Sequence, residues 1–321
     1  MQKVNENFVI IQASKVDAGL RLDKWLIKHF PNLNNGFAQK IIRKALVKVD
    51  GKKVDFNYRL IENQQIKVPI TLIEAIDSNK DIKQDLINLN LGVYKKTIES
   101  IKANLLYKDD DFLVINKPYN LAVQGGSNIT FNLTHVLPFL QFESNEVPVL
   151  VHRIDKDTSG LLVLARNVIS ARYMFEKFKN KEVNKQYLCL VDGILPIKVG
   201  TIDAPLLKTG ESPNQKMVID NAGKQAITNY KVLNENNGIS LVEVSPVTGR
   251  THQIRVHMAN FLQAPILGDF KYGYKKNANM KVSRLYLHAK HINFTSFNNK
   301  IIDVNCHVEQ SFQELLTFLQ L

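Results

Sequence analysis

Residues 149–166 read VLVHRIDKDTSGLLVLAR, in which two apolar runs flank a polar loop. Runs of Val and Leu bounded by turn residues are typical of buried strands, and residues 157–160 favour a turn. A charged loop between two buried strands is held by a rigid scaffold at a sheet edge or cleft. Arg153 and Asp155 are not needed for the turn, so they are candidates for a functional role.

The regions around this stretch predict further strands and a few helices. Residues 105–115 predict two strands joined by an acidic turn at 109–111. Other strands are predicted at 185–191, 227–233, 239–244 and 285–294, and helices at 169–180, 251–261 and 310–319. This pattern indicates an α+β fold on a largely antiparallel sheet and not a doubly wound fold. We interpret His288 and His291, in the last of these strands, as surface or edge residues.

A second polar motif, SPVTGRTHQIRVHM, occupies residues 245–258. Thr251 is predicted to cap the helix that follows, and Arg255 lies about 100° around that helix from its apolar stripe. His252 lies on the same side as Arg255. Three side chains form the predicted buried stripe: Ile254, Met258 and Phe261. An arginine placed there can pair with a carboxylate from another loop, although a solvated basic face is the alternative.

The N-terminal part of the chain carries most of the net charge. The whole chain has 321 residues, is 45% apolar and has a net charge of +12, which excludes disorder as its main state. Residues 15–70 contain 12 Lys and Arg against 5 Asp and Glu, a net charge of +7. An excess of this size indicates a polyanionic partner, with nucleic acid as the first candidate.

The same segment predicts two helices and a hairpin. An apolar stripe runs along residues 20–30, a second helix follows the Asn-Gly stretch at 34–36, and Asp50-Gly51 forms a tight turn within a hairpin over 46–54. Three basic side chains lie on the outer faces of the helices: Lys24, Lys40 and Arg43. We predict a domain over 15–75, a linker over 76–103 and a second domain over 104–321.

The sequence also argues against several classes of protein. Two cysteines are too few for a disulfide framework or a four-thiolate zinc site, and they favour a reducing, cytoplasmic location. No apolar stretch approaches the roughly 20 residues that span a bilayer, so no membrane partner is expected. Because no phosphate-binding glycine loop and no cluster of His and Cys is present, we expect neither a cofactor nor a metal.

Four segments together resemble the RluA-type pseudouridine synthases. They are HRIDKDTSGLLVLAR at 152–166, KQY at 185–187, SPVTGRTHQIRVHM at 245–258 and GDFKYG at 268–273. The helix-helix-hairpin segment at 15–75 resembles an S4 (αL) RNA-binding domain. The resemblance implies a catalytic domain built on a largely antiparallel, mixed β-sheet with flanking helices, preceded by a small S4-like domain.

The resemblance implies a role for each candidate residue. Asp155 matches the catalytic aspartate, Arg255 the arginine that pairs with it, and Tyr187 the aromatic that lies against the target base. Arg153 matches the residue that holds the target nucleotide out of its stack. Further positions expected to contact RNA or assist base flipping are His152, Arg250 and His252, with Lys24, Lys40 and Arg43 in the S4-like domain. Asp155 can act as nucleophile or as base, and the sequence leaves both open.

The implied activity is the isomerisation of uridines in large-subunit (23S) ribosomal RNA, free or in an assembling particle, by a monomer that needs no cofactor. One alternative is a non-catalytic RNA-binding or ribosome-assembly factor, and another is a pseudouridine synthase acting on other RNA sites. A pure binder has no need of Asp155, because a carboxylate repels phosphates. Hydrolysis by Asp155 and Asp157 leaves the remaining motifs unexplained.

Overall fold

A computed structural model describes residues 8–30, 33, 35–69, 95–125, 129, 131–210, 215–275 and 280–321. The chain divides into two compact units, Met1–Lys95 and Lys96–Leu321. Most of the predicted linker lies outside the described residues, but residues 95–103 form a helix, α3, that buries Ile98 and Ile101. The C-terminal end of that linker is therefore ordered, because its isoleucines are spaced for one helix face.

The first unit packs two helices and a three-stranded antiparallel sheet around one core. Its elements are β1 (Phe8–Gln12), a 3₁₀ turn (Lys15–Asp17), α1 (Leu22–His29), α2 (Asn35–Arg43), β2 (Lys48–Val49) and β3 (Gln65–Pro69). The predicted stripe of α1 is confirmed, since Leu22, Trp25 and Leu26 are fully buried. Burial of these side chains stabilises the helix against the sheet.

The predicted turn at Asp50-Gly51 is confirmed, but its hairpin differs. Val49 and Lys52 exchange backbone hydrogen bonds across the turn, at 3.0 and 2.9 Å, and Asp50 has a positive φ of 48°. The partner of β2 is β3 and not residues 53–54. The Asp50 carboxylate accepts a hydrogen bond from the Gln65 amide at 2.8 Å, which fixes this distant pairing.

The second unit is built on a ten-stranded mixed sheet with a separate two-stranded hairpin. Its strands are β4 (Leu105–Lys108), β5 (Phe112–Lys117), β6 (Val149–Leu150), β7 (Ser159–Ala165), β8 (Asn184–Asp192), β9 (Val199–Asp203), β10 (Leu206–Thr209), β11 (Lys216–Ile219), β12 (Ile227–Asn236), β13 (Ile239–Pro246), β14 (Leu287–Thr295) and β15 (Ile301–Asn305). The main order is β4-β5-β7-β14-β8-β13-β12-β9, with β15 on β14 and β6 on β7, and β10 pairs with β11. The sheet is antiparallel except where β7 meets β14, so the predicted α+β class is confirmed.

Helices and turns cover the sheet. They are α4 (Val168–Lys179), α5 (Gln253–Val256), a π-helical turn (His257–Phe261), α6 (Gln310–Leu319) and 3₁₀ turns at Leu133–His135, Leu137–Leu140 and Phe270–Tyr272. Within the described ranges, no helix combines the length and apolar character needed to span a membrane. The acidic turn predicted at 109–111 joins β4 to β5.

Strand β8 separates the two packed faces. Leu188 and Leu190 pack in the core that includes Phe312 of α6. Cys189 packs in the core that includes Ile254 of α5, and Tyr187 lies against the same cluster. Because side chains alternate along a strand, Tyr187 is brought to the face that carries α5.

The loop quoted first, residues 151–158, leads into β7. This strand is the third in the main order and lies between β5 and β14, so the loop enters the interior of the sheet and not its edge. Gly160, with φ 105°, pairs with Ala289, and a Cβ there would lie 2.2 Å from the Ala289 carbonyl oxygen. Glycine is therefore required for β7 and β14 to approach this closely.

Candidate active site

A cavity of about 540 Å³ lies on the α5 face of the second unit. Its walls come from residues 151–158, the C-terminal end of α4, the start of β8 and the turn before α5. This volume is in the range of roughly 300–1,000 Å³ that is typical of pockets for small molecules. Three of the predicted catalytic residues line it: Asp155, Tyr187 and Arg255.

Asp155 and Arg255 form the predicted ion pair. The Arg255 Nη1 group donates a hydrogen bond to Asp155 Oδ2 at 3.3 Å, between side chains that are 9% and 19% exposed. Because the arginine is the more buried partner, it contacts the carboxylate from the protein interior, and the carboxylate stays accessible from the cavity. The solvated basic face considered for this helix is wrong, because Arg255 is buried.

A second carboxylate, Asp269, fixes the arginine. Its two oxygens accept hydrogen bonds from Arg255 Nε and Nη2, both at 2.7 Å, and it is only 1% exposed. Burial alone would lower the pKa of Arg255, but the two carboxylates outweigh it and raise the pKa. A bidentate pair allows little rotation, so Nη1 is oriented towards Asp155.

His252 and Tyr272 complete the surroundings of the pair. The Tyr272 hydroxyl lies 2.7 Å from His252 Nδ1, and its ring lies 5.1 Å from the Arg255 guanidinium carbon. His252 Nε2 is 3.9 Å from Asp155 Oδ2. Burial lowers the pKa of His252 and Arg255 lowers it further, despite the opposing charge of Asp155. The imidazole is therefore neutral at pH 7.

The start of α5 differs from the sequence prediction. His252, not Thr251, is the residue before the helix, and it has a left-handed φ of 53°. The α-helical part ends after one turn and continues as the π-helical turn, so the predicted stripe fails at Phe261, which is 50% exposed. The strained backbone directs the His252 ring towards Tyr272 and Asp155.

Tyr187 is half-buried on β8 and faces the same cavity. Burial raises its pKa, and the nearby charge of Asp155 raises it further. The phenol therefore keeps its proton at neutral pH. A protonated aromatic beside a carboxylate gives the cavity both a surface for stacking a planar base and a group that can donate a hydrogen bond.

Comparisons with known proteins place the chain in a family. The family model described as RNA pseudouridylate synthase matches residues 111–260. Ribosomal large subunit pseudouridine synthase C of Rickettsia typhi is 38% identical over 283 residues, 85% of this chain and 88% of the relative. Its namesake in Buchnera aphidicola subsp. Baizongia pistaciae is 36% identical over 280 residues, 85% of each chain. The chain belongs to the RNA pseudouridylate synthase family.

Two more comparisons extend the similarity. Ribosomal large subunit pseudouridine synthase C of Vibrio cholerae is 30% identical over 322 residues, which are 99% of this chain and 98% of the relative. The solved structure of human RNA pseudouridylate synthase domain containing 4 superposes with a TM-score of 0.61 at 28% identity, over 70% of this chain and 95% of that one. The synthase is thus an isomerase on a known fold.

The other cavity residues predicted to contact RNA lie in different settings. Arg153 is exposed at the rim, and Arg250, also exposed, donates a hydrogen bond to the Gln225 carbonyl at 3.0 Å. His152 Nε2 accepts the Val163 amide hydrogen at 2.9 Å. Burial lowers the pKa of His152 to about 3, so this ring is a neutral support of the loop. RNA contact by these residues stays a prediction.

The three basic residues predicted in the first unit are on its surface. Lys24, Lys40 and Arg43 are all exposed, and the Arg43 guanidinium carbon lies 5.9 Å from the centre of the Phe56 ring. All three side chains are therefore accessible to solvent. Their contact with RNA also stays a prediction.

Lys117 at the end of β5 is a functional candidate that the sequence reasoning missed. It is fully buried, and its Nζ donates to the carbonyl oxygens of Pro118 (2.8 Å), Leu121 (2.9 Å) and Lys156 (3.1 Å). Burial lowers its pKa to about 7. Lys117 ties the loop that holds Asp155 to the chain after β5. A lysine closing the apolar run FLVIN was the available signal.

The interpretation of His288 as a surface or edge residue is wrong. It is completely buried on β14, with Nδ1 2.9 Å from Ser159 Oγ and Nε2 3.1 Å from Cys306 Sγ. Ser159 also accepts a hydrogen bond from Arg284 at 2.6 Å. Ser159 is the first residue of β7, so this buried network fixes the end of the loop that carries Asp155.

Proposed function

We propose that this synthase converts uridines of large-subunit ribosomal RNA to pseudouridine, with Asp155 as the catalytic carboxylate. The observation that carries the proposal is the half-buried Asp155, paired with Arg255 on the wall of a cavity that also contains Tyr187. Relatives named for the ribosomal large subunit cover most of this chain and support the choice of RNA.

The target uridine leaves its stack and enters the cavity. A paired base has its glycosidic bond enclosed by the helix, so an enzyme that acts on it has to extrude the nucleotide. We assign the vacated position to the planar guanidinium of Arg153, which is exposed two residues before Asp155. The base then lies against Tyr187, with its ribose near Asp155.

The reaction exchanges one bond of the base for another. The bond from N1 to the ribose C1′ breaks, the base turns, and C5 bonds to C1′; C5 then loses its proton, and N1 gains one. Asp155 serves either by attacking C1′ as a nucleophile or by removing a proton from the ribose as a base. Arg255 holds the carboxylate, and no electron or group leaves the site.

The first unit is proposed to be an S4-like domain that binds the same RNA. Its exposed Lys24, Lys40 and Arg43 are suited to phosphates, which are recognised by charge and shape with little base readout. The division of labour assigns affinity to this unit and chemistry to the second. We further propose that the protein works as a monomer in the cytoplasm, on free RNA or on an assembling particle.

Mapping pseudouridine in large-subunit RNA with and without the gene tests the proposal. Cells that lack the protein should lose pseudouridine at specific positions, and expression of the wild-type chain should restore it. The variant Asp155→Asn should restore none, with a loss of at least about a thousandfold in vitro, while its RNA affinity stays within about threefold. An unchanged map of large-subunit RNA, with losses in another RNA, would reassign the substrate.

The same experiment separates the synthase from a pure binding factor. If the protein were a non-catalytic assembly factor, Asp155→Asn would restore its function in cells that lack the wild-type chain, because the change keeps the shape of the side chain. Full restoration by that variant would therefore reject Asp155 as the catalytic group.

A further inference from the structure

The charges around the cavity are divided unevenly. Six cationic side chains and one carboxylate line it. Near Asp155 the positive charge of Arg255 is compensated, because Arg255 forms ion pairs with two carboxylates. The part of the lining formed by the end of α4 and the start of β8 is basic, and its residues are Lys179, Lys181 and Lys185. The charge of Lys179 is balanced by Glu176, whose carboxylate lies 2.9 Å from the ammonium.

Lys185 is the unusual member of this group. Its side chain is half-buried, whereas Lys179 and Lys181 are exposed. The ammonium lies 5.7 Å from the centre of the Phe178 ring, and in the part of the chain that the structure describes it has no hydrogen bond or ion pair. Burial lowers its pKa. A desolvated cation without a counter-ion costs free energy unless a ligand supplies the charge.

The strand gives Lys185 a defined direction. Lys185 and Tyr187 are two residues apart on β8, so both side chains project from the same face, about 7 Å apart along the strand. The charge of Asp155 acts on Tyr187, and Lys185 lines the same cavity. A nucleotide whose base lies against Tyr187 therefore has Lys185 within reach of its backbone, since the two side chains are about 7 Å apart along one face.

We propose that Lys185 is a phosphate-binding residue of the cavity, which pairs with a backbone phosphate adjacent to the isomerised uridine. This inference rests on the proposed entry of that uridine into the cavity. The ligand is a phosphodiester and not a base edge, because an ammonium on an aromatic face offers charge without a directional pattern. The pair is partly desolvated, so it contributes more than an exposed pair at the rim.

A chemical double-mutant cycle tests the proposal. The substrate is a stem-loop of large-subunit RNA containing a mapped uridine, made with its normal backbone or with one neutral methylphosphonate on either side of that uridine. The variants are Lys185→Met, which keeps the alkyl stem, Lys185→Arg, which keeps the charge, and Lys181→Met as an exposed control. Both KM and kcat are measured.

Lys185→Met should raise KM about 10- to 100-fold on the normal RNA and change kcat less than about threefold. On RNA with the methylphosphonate at the contacted position, the same variant should match the wild type within about twofold. Lys185→Arg should keep most of the affinity. Lys181→Met should lose less than about threefold on every RNA, because its charge is exposed.

Two results would overturn the proposal. One is an unchanged KM for Lys185→Met, and the other is an equal defect on the normal RNA and on both methylphosphonate RNAs, which would indicate damage to the cavity wall. The same comparison is made as a binding affinity in the Asp155→Asn background, where no turnover occurs. If the isomerase assignment is wrong, the wild-type chain will form no pseudouridine. The binding affinities of the variants for the normal and methylphosphonate RNAs would still show whether Lys185 contacts a phosphate.

Discussion

Each unit of the chain contains a buried aspartate that forms a bidentate ion pair with an arginine. In the second unit, Asp269 accepts hydrogen bonds from Arg255 Nε and Nη2, both at 2.7 Å. In the first unit, Asp23 accepts from Arg21 Nε at 3.1 Å and Nη2 at 2.7 Å. Both carboxylates are almost completely buried. The two pairs use the same atoms and leave the same arginine nitrogen, Nη1, outside the bidentate bond.

The surroundings of the two arginines differ. Arg255 is 9% exposed and turns Nη1 to the second carboxylate, Asp155. Arg21 is 37% exposed, and beside its pair Asp23 accepts a hydrogen bond from Gln39 instead. The second carboxylate encloses Arg255, whereas Arg21 stays partly exposed beside Asp23. We therefore predict that the same bidentate pair supports the chemistry of the second unit and the RNA binding proposed for the first.

The largest expected effect comes from Arg255→Lys. A lysine keeps the charge but cannot bind two carboxylates with a planar fork, so Asp155 loses its fixed partner. We expect kcat to fall by about a hundredfold to a thousandfold, with RNA affinity unchanged within about threefold. Single-turnover pseudouridine formation measures the first quantity, and filter binding measures the second. Near wild-type turnover would show that the shared pair does not position Asp155.

Asp269→Asn and Asp23→Asn form a matched comparison. Removing one partner of a buried ion pair destabilises a protein by about 3 kcal/mol. Each change should lower the free energy of unfolding of the chain, measured by urea titration. Asp269→Asn alone should also lower kcat, by about tenfold to a hundredfold. If Asp23→Asn lowered kcat on a saturating RNA as much, the functional contrast between the two pairs would be wrong.

Arg21→Ala should weaken RNA binding without slowing the chemistry. Loss of one phosphate contact is expected to reduce affinity by about fivefold and to lower the salt slope of binding by about one. Binding measured at several salt concentrations gives both values, and kcat should stay constant. Arg59→Ala is a control, because Arg59 is a basic residue of the same unit that bonds to the Gly19 carbonyl at 2.7 Å. An unchanged salt slope for Arg21→Ala would remove Arg21 from the RNA surface.

The smallest effect concerns the pH dependence of stability through Lys117. Its pKa falls from 10.5 to about 7 because of burial, so between these values the unfolded chain binds a proton that the folded chain does not. Stability then rises with pH through this window and is lowest below about pH 7. The free energy of unfolding of the wild type minus that of Lys117→Met should therefore be more positive at pH 9 than at pH 7.

Urea unfolding at the two pH values measures this difference, with the exposed Lys40→Met as a control in the first unit. An equal difference at both pH values would mean that Lys117 stays charged throughout the window. In that case the three carbonyl oxygens, and not burial, would dominate its titration.

Local patterns predicted much of this structure. The strands around Asp155, the apolar stripe of α1 and the α+β class follow from periodicity, since they depend on residues close together in sequence. Local patterns showed only that Asp155 and Arg255 each lay in a polar motif that local structure did not explain. Their pairing with each other was implied by the family resemblance.

Other features depend on partners that the sequence does not place together. Asp269 lies in the turn motif GDFKYG, and nothing in that pattern shows that it meets Arg255. Lys117 reaches the carbonyl of Lys156, 39 residues away. His252 has a left-handed backbone conformation, which its own residue type disfavours. The contact of its ring with Tyr272 outweighs this strain. Such long-range contacts and strained residues are decided by packing.

Gly160 has a consequence for how this enzyme can change over evolutionary time. Any side chain at that position would collide with the backbone of Ala289, so a substitution there would force β7 and β14 apart. Arg153 and Arg250, by contrast, are exposed. We therefore expect substitutions to accumulate at these two exposed positions among related chains, whereas Gly160, next to the loop that carries Asp155, should tolerate no exchange.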